Sequence, residues 1–315
     1  MIIGGKMNIK RESIAFPSKE KGQTIRGELI VPTEQPKAVV QFAHGMCDYG
    51  KRYMELFSFL AEHGFAVAYS DHLGHGMTAA HERDLGFIAK HDGYQKMIDD
   101  FYGCYSLLKR RFPEQKHFVM GHSMGSFIVR CFLCCYPGLA SGAIIMGTGA
   151  KNPGAAPGRF LAKMTVKAKG ERYRSKMLEH LVFGSYNRRI RNPVSDWAWL
   201  CRDDNVVIEM SKDEKRNKTF TASGFVDLIT LNILANDSRT MKTIDPKMPV
   251  LFLSGEEDPL GPYGKGVKNV AKIYQNAGLC DVNVKLYPGA RHELCQELNR
   301  KEVFCDLLQW LETYC

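Results

Sequence analysis

One serine stands where a serine can be made to react. Ser123 lies in Gly121-His122-Ser123-Met124-Gly125, a G-x-S-x-G pentapeptide. An apolar run, Phe118-Val119-Met120, leads into it, and a helical pattern from Ser126 to Cys135 leads out. That context predicts a sharp strand-to-helix turn with the hydroxyl held out at the end of a sheet. Gly121 and Gly125 suit such a turn, because a side chain at either would crowd strand against helix. A serine hydroxyl is a poor nucleophile at its own pKa. It needs a base, and the base needs an orienting group. In open sheets of parallel strands, reactive groups gather beyond the carboxyl ends of the strands.

That rule narrows ten histidines to a few. His292, in Pro288-Gly289-Ala290-Arg291-His292-Glu293, directly follows the alternating run Val282 to Tyr287 and is the expected base. Leu253-Ser254-Gly255-Glu256-Glu257-Asp258-Pro259 follows the preceding apolar run, and a carboxylate there can accept from the imidazole and set its tautomer. Asp258 is the expected acid, since a short carboxylate before Pro259 in a tight loop is firmly placed. Glu256 and Glu257 compete for the role. Acyl transfer also needs donors aimed at the developing oxyanion. The backbone N–H of Met124, just after the serine, is one. The N–H of Met46, in His44-Gly45-Met46, is the other.

Further clusters invite other chemistry. Asp71, His72, His75 and His81 could be drawn as a metal site, but His72 and His75 form H-x-x-H without the glutamate of a metalloprotease helix. A supporting loop is expected there, with no metal. His44 and His122 are expected to brace loops. Cys131 and Cys134 form a C-x-x-C with no second pair at finger spacing, so free thiols packed in a helix are expected, and no cofactor is implied.

The elements that would position these groups read as α/β. Strands are predicted at Ile9–Phe16, Thr24–Val31, Ala38–Ala43, Phe65–Tyr69, Lys116–Met120, Ala140–Met146, Pro249–Ser254 and Val282–Tyr287. Helices are predicted over Lys51–His63, around Met97–Leu108, over Ser126–Cys135, Gly264–Asn276 and Glu297–Tyr314. Alternation with continuous apolar strands means a mostly parallel sheet with helices on both faces. At Gly147 the pattern breaks. From there to about Met241 the chain looks helical in pieces, with a basic segment Leu161–Leu181, an aromatic cluster at Trp197, Trp199 and Leu200, a polar loop Ser211–Lys218 and a helix Thr221–Leu234. The expected division is a core of residues 1–149, a helical cap 150–241 and a second core segment 242–315. Within the cap, Met164, Met177, Leu178, Leu181, Trp197, Trp199 and Phe225 are candidates to line a channel, or to form the cap's own small core.

The chain has 315 residues and a formal charge of +9. Between Arg159 and Arg191 ten Lys/Arg face only Glu171 and Glu179. Such a block can attract an anionic membrane transiently, or serve as a solvated helix face. Aromatics are not interleaved with it in a nucleic-acid-binding module, so no nucleic-acid partner is expected. No run of eighteen apolar residues occurs, and the Ile2-Ile3-Gly4-Gly5 patch is too short for a signal peptide, which makes a cytoplasmic location the expectation.

Taken in order, His44-Gly45-Met46, Asp71-His72-Leu73-Gly74-His75-Gly76, the Ser123 pentapeptide, Gly255-Glu256-Glu257-Asp258-Pro259 and Pro288–Glu293 resemble the monoglyceride lipase and lysophospholipase branch of the α/β-hydrolases, also labelled serine aminopeptidase-like. The resemblance spans residue 10 to the end. It implies an eight-stranded α/β-hydrolase fold with a helical cap, nucleophile Ser123, acid Asp258, base His292, and oxyanion donors at Met46 and Met124. It implies hydrolysis of small-molecule carboxylic esters, commonly monoacylglycerols or lysophospholipids, without cofactor. Ser126 stands where many members have a second glycine, and Leu73 where an arginine is common. Three other readings use the same scaffold: a peptidase holding a free amine with Glu209, Asp213 or Glu214, an acyl thioesterase, and a non-catalytic binding protein.

Overall fold

Apolar runs long enough to be covered on two sides form the middle of the molecule. The computed structural model describes residues 7–216 and 219–315. The Ile2–Gly5 patch and the end of the polar loop, Asn217 and Lys218, lie outside the described residues. The strands are β1 (Ile9–Pro17), β2 (Thr24–Pro32), β3 (Ala38–Ala43), β4 (Phe65–Asp71), β5 (Lys116–His122), β6 (Gly142–Met146), β7 (Val250–Gly255) and β8 (Val282–Tyr287). They make one sheet in the order β1-β2-β4-β3-β5-β6-β7-β8. Only β2 is reversed: it pairs antiparallel with β1 and β4, and the remaining neighbours pair parallel. All residues of β3, β4, β6 and β7 are buried, as parallel strands covered on both faces require.

The helices of the core are α1 (Met54–Glu62), α2 (Gly93–Arg111) and α3 (Met124–Cys135). Between β6 and β7 come α4 (Ala155–Lys169), α5 (Lys176–Phe183), α6 (Asp204–Lys212), α7 (Ala222–Ala235) and α8 (Ser238–Met241). The chain closes with α9 (Lys265–Asn276) and α10 (Arg300–Tyr314). Strand pleating sorts the core between two faces. Phe118 and Met120 of β5 pack with Leu56 and Phe57 of α1 and Phe304 and Leu307 of α10. Val119, between them, packs with Phe101 of α2 and Ile128 and Phe132 of α3.

Three details differ from the sequence reading. The predicted helix Lys51–His63 starts as a 3-10 turn over Gly50–Tyr53 before α1, and Gly64 then ends it at φ +95°. Ser211 and Lys212, expected in a loop, finish α6, which the Asp203 side chain starts by accepting from the amides of Asn205 and Val206. Cys131 is buried, Cys134 is partly buried, and Cys135, at the end of α3, is exposed; none of the ten cysteines is in a disulfide.

The inserted helices are anchored to the core. Phe225, Leu231 and Ala235 of α7 belong to the same apolar cluster as Ile128 and Phe132 of α3. Asp227 of α7 also caps α2: its carboxylate accepts the Tyr94 amide at 3.0 Å. A Cβ on Gly93 would lie 2.3 Å from Asp227 Oδ2, so the glycine makes room for this cap. Burial pushes the Asp227 carboxyl up from 3.8 to about 7, against the Tyr94 and Gly93 amides. A raised folded-state pKa means that the native protein binds the proton more tightly than the unfolded chain. Stability from this group is therefore full below about pH 4 and declines as pH rises towards 7, by on the order of 2–4 kcal/mol. Urea unfolding of the wild type should show this decline, and Asp227→Asn should lack it. Parallel curves for the two proteins across that window would refute the assignment.

Candidate active site

The turn after β5 is strained, and its neighbours explain why it holds. Ser123 has φ +54° and ψ −119°, a conformation that non-glycine residues adopt at a cost of about 1–3 kcal/mol. Its amide donates to the Met146 carbonyl at 3.0 Å, and its carbonyl accepts the Ser126 amide at 2.9 Å. A Cβ on Gly121 would lie 2.3 Å from the Gly125 carbonyl oxygen, and one on Gly125 would lie 2.1 Å from that of Ala43. Backbone occupies the space on both sides, so the two glycines are required by close approach. Ser126 adds a brace that glycine cannot give. Its hydroxyl lies 2.5 Å from the Ser123 carbonyl and 2.8 Å from Thr148 Oγ1. Thr148 in turn accepts from the fully buried Arg130, which also donates to the carbonyls of Gly149 and Ala235. The turn bearing Ser123 is thereby tied to the end of α7.

Asp258, rather than Glu256 or Glu257, meets the imidazole. His292 Nδ1 lies 2.9 Å from Asp258 Oδ2, and Asp258 Oδ1 accepts the Leu260 amide at 2.9 Å. Asp258 and His292 are buried, whereas Glu256 and Glu257 are exposed. An Nδ1–H donated to the carboxylate leaves Nε2 as the basic nitrogen. Ser123, His292, Met46 and Met124 all line one cavity of about 530 Å³. A Cβ on Gly45 would sit 3.3 Å from Ser123 Cβ, so the Gly45–Met46 peptide runs directly beside the serine side chain.

The histidines around that peptide hold it in place. His44 Nε2 accepts the His72 amide at 3.0 Å, which puts its proton on Nδ1, 2.9 Å from the Gly45 carbonyl. In a trans peptide the N–H points opposite to the C=O, so pinning the Gly45 carbonyl orients the Met46 N–H. His75 Nδ1 pairs with the Leu73 carbonyl and Nε2 accepts the Cys47 amide. Burial, then His44, lowers the His75 pKa to about 3, so the ring stays neutral and keeps that acceptor. Asp71 accepts the amides of Gly50 and Met77. These side chains are committed to backbone partners.

Contacts that local sequence patterns do not reveal complete the surroundings. The Tyr53 hydroxyl lies 2.6 Å from Asp48 and 2.8 Å from His122 Nδ1, and His122 Nε2 lies 3.2 Å from the His292 carbonyl. Arg52 pairs with Asp48 at 2.7 Å and grips both oxygens of Glu293. Burial alone would raise the Glu293 pKa, but Arg216 and Arg52 together hold it at about 2. Trp199, from the insertion, packs its ring 5.0 Å from that of His292. Arg291 donates to the carbonyls of Ala198 and Cys201, so the loop bearing His292 is bound to the insertion. None of these partners follows from a periodic pattern; the only local signal was the placement of Glu293 beside His292.

Of the candidate channel residues, Leu181, Trp197 and Trp199 line the cavity. Leu178 and Phe225 are buried in the main core, and Met164 and Met177 are exposed on the outside of α4 and α5. The wall is largely apolar, with Phe127, Phe183, Leu228 and Ile229 added. The three acids considered as amine holders serve elsewhere or face outward. Glu209 pairs with Lys212, Asp213 accepts from Tyr49, and Glu214 is exposed.

A serine at positive φ between a parallel strand and a helix, with acid and imidazole following beyond later strands of the same sheet, is the arrangement of α/β-hydrolases, and that is the class of this chain. More narrowly, the chain belongs to the family described as Serine aminopeptidase, S33, which matches residues 34–299, within its monoacylglycerol-lipase-like branch. It is similar to a monoacylglycerol lipase of Mycolicibacterium smegmatis, 25% identical over 297 residues, 93% of this chain and 94% of the relative. It is also 25% identical over 288 residues to the monoglyceride lipase of Homo sapiens, covering 89% and 84% of the two chains. Among solved structures, a thermostable carboxyl esterase from Bacillus coagulans in complex with glycerol superposes with a TM-score of 0.90 at 26% identity, covering 96% of this chain and 98% of that one. The chain is a serine-hydrolase-type enzyme of this superfamily.

Proposed function

We propose that the protein cleaves carboxylic esters of lipid-like substrates, monoacylglycerols or lysophospholipids, through an acyl-enzyme on Ser123. His292 takes the Ser123 proton on Nε2 as the hydroxyl attacks the ester carbonyl. The N–H groups of Met46 and Met124 hold the oxyanion, and Asp258 holds the imidazolium. His292 then gives its proton to the departing alcohol. Water, deprotonated by the same nitrogen, attacks the acyl-enzyme and releases the acid. The observation that carries this reading is the buried His292–Asp258 pair opening on the cavity that Ser123 lines. The apolar wall supports a lipid-like acyl group, since pockets of roughly 300–1,000 Å³ with few polar groups suit such ligands. The names of the relatives support the ester and the glycerol headgroup. Residues 150–241 act as the cap over the cavity.

The cap also supports contact with a lipid surface. Phe160, Met164 and Met177 are exposed beside Lys163, Lys167 and Lys176, the composition of an interfacial helix. Two arginines of the basic block have internal work instead: Arg172 pairs with Asp84, and Arg174 donates to the carbonyls of Leu85 and Thr219. Among the described residues no helix is long and apolar enough to cross a membrane. The test is turnover of a monoacylglycerol in neutral and in anionic vesicles, beside a matched acyl-CoA and an aminoacyl-naphthylamide. The ester should be cleaved fastest, and faster on anionic vesicles in a salt-sensitive way. Preference for the naphthylamide would replace this reading with a peptidase, and preference for the acyl-CoA with a thioesterase. Equal rates on both vesicles would remove the membrane contact.

A further inference from the structure

Arg216 comes from the insertion, between α6 and α7, yet its side chain is only 8% exposed. It reaches down to two core loops at once. Nε donates to the Cys47 carbonyl at 3.1 Å, and Nη1 donates to Glu293 Oε1 at 3.0 Å. Cys47 follows Met46, and Glu293 follows His292, so one guanidinium links the loops that carry the oxyanion donor and the base. It lines the same cavity as Ser123.

Cys47 needs such holding. It is not glycine, yet it has φ +50°, and the surroundings must supply what the local backbone does not favour. Its N–H is fixed by the core through His75, at 3.2 Å. Its carbonyl is fixed from the insertion, through Arg216. The segment around Arg216 lies along the same loop: Asp213 accepts the Tyr49 hydroxyl at 2.6 Å, and the Lys215 ammonium lies 5.7 Å from the centre of the Tyr49 ring. Electrostatics point the same way. Arg52 and Arg216 balance Asp48 and Glu293 beside the loop. Without Arg216 the group keeps an uncompensated negative charge, which opposes an oxyanion forming nearby.

Resting on the serine-hydrolase reading above, we infer that Arg216 is a positioning residue for acyl transfer: from the insertion, it sets the geometry and charge of the oxyanion loop through Cys47 and Glu293. It acts through these residues rather than on the substrate. Its contribution therefore belongs to the transition state and leaves ground-state binding almost untouched. The position of the insertion over the core and the competence of the oxyanion loop become one property, because the same side chain serves both.

The protein should tolerate the loss of Arg216, since Glu293 keeps both contacts from Arg52. The experiment measures kcat and KM on a short p-nitrophenyl ester for wild type, Arg216→Gln, Arg216→Lys and Tyr49→Phe, with a thermal melt of each. It adds the affinity for a trifluoromethyl ketone, which forms an oxyanion on the serine, and for a matched ether, which does not. Arg216→Gln should lower kcat by about 10–100-fold with KM within about twofold, the range that a small misplacement of reacting groups produces. Ketone affinity should fall in step and ether affinity should hold. Arg216→Lys should recover part of the loss, since an ammonium can serve one of the two acceptors. Tyr49→Phe, which loosens the segment without touching the cavity charges, should lower kcat several-fold. It carries the test alone if Arg216→Gln does not fold. An unchanged kcat, or a loss confined to KM with ketone and ether affinity falling together, would overturn the inference. A wild type inactive on every ester would instead overturn the hydrolase reading beneath it.

Discussion

Ser123→Ala is expected to lower kcat for ester hydrolysis by about 10⁴–10⁶-fold while leaving the fold intact. Both halves of that result follow from the turn. The bonds that hold residue 123 are made by its backbone, to Met146 and Ser126, and none of them needs its hydroxyl. Alanine at φ +54° bears a strain similar to that of serine, so the melting temperature should stay within about 2 °C of wild type. The chemistry has no substitute. The cavity would still bind the ester and present the two amides, and such sites retain roughly 10³–10⁴-fold catalysis over water without a nucleophile. Kinetics and a thermal melt on the same preparation read both. Turnover within tenfold of wild type from a folded Ser123→Ala protein would end the acyl-enzyme proposal.

Asp258→Asn is expected to cost nearly as much, about 10⁴-fold in kcat. Its oxygen receives His292 Nδ1–H where both side chains are buried, and that bond leaves Nε2 as the acceptor nitrogen. An asparagine of the same shape can turn its NH₂ towards the ring. The imidazole then puts its proton on Nε2, and the base is lost without any change in packing. Glu256→Gln and Glu257→Gln serve as internal comparisons. Both side chains are exposed, and both variants should stay within about twofold of wild type, as surface changes do. A large loss at either glutamate, with Asp258→Asn active, would reassign the acid.

The eight strands were legible because they are local signals. Runs such as Ala38–Ala43 and Val250–Ser254 have only one comfortable place, between two layers of helix. The pieces of the candidate site could be proposed from the sequence for a related reason. Ser123 and Asp258 follow such runs and His292 follows an alternating one, so a rule about strand ends points to all three without any knowledge of contacts. The choice among Glu256, Glu257 and Asp258 depended on which carboxylate turns inward, and the structure brings Asp258 to the ring. Arg216 was beyond reach. It sits in a polar stretch that reads as a surface loop, and its meaning lies in partners about 170 and 80 residues away. Polar residues of an insertion obey no period, because each answers to a distant partner rather than to a solvent-facing stripe. The lining of the cavity was half legible for the same reason. Both alternatives hold for Trp197 and Trp199, which line the cavity and also pack with Leu200 and Met210 in a small cluster of the insertion, while Leu178 and Phe225 are drawn into the core by helices that anchor the insertion.

The most direct test of the catalytic account is a crystal structure of the protein after reaction with a fluorophosphonate ester. Phosphorus should be bonded to Ser123 Oγ, with the phosphoryl oxygen about 2.7–3.1 Å from the amide nitrogens of Met46 and Met124 and His292 Nε2 facing the Oγ. An adduct on another residue, or a phosphoryl oxygen turned away from both amides while the enzyme hydrolyses esters, would contradict it.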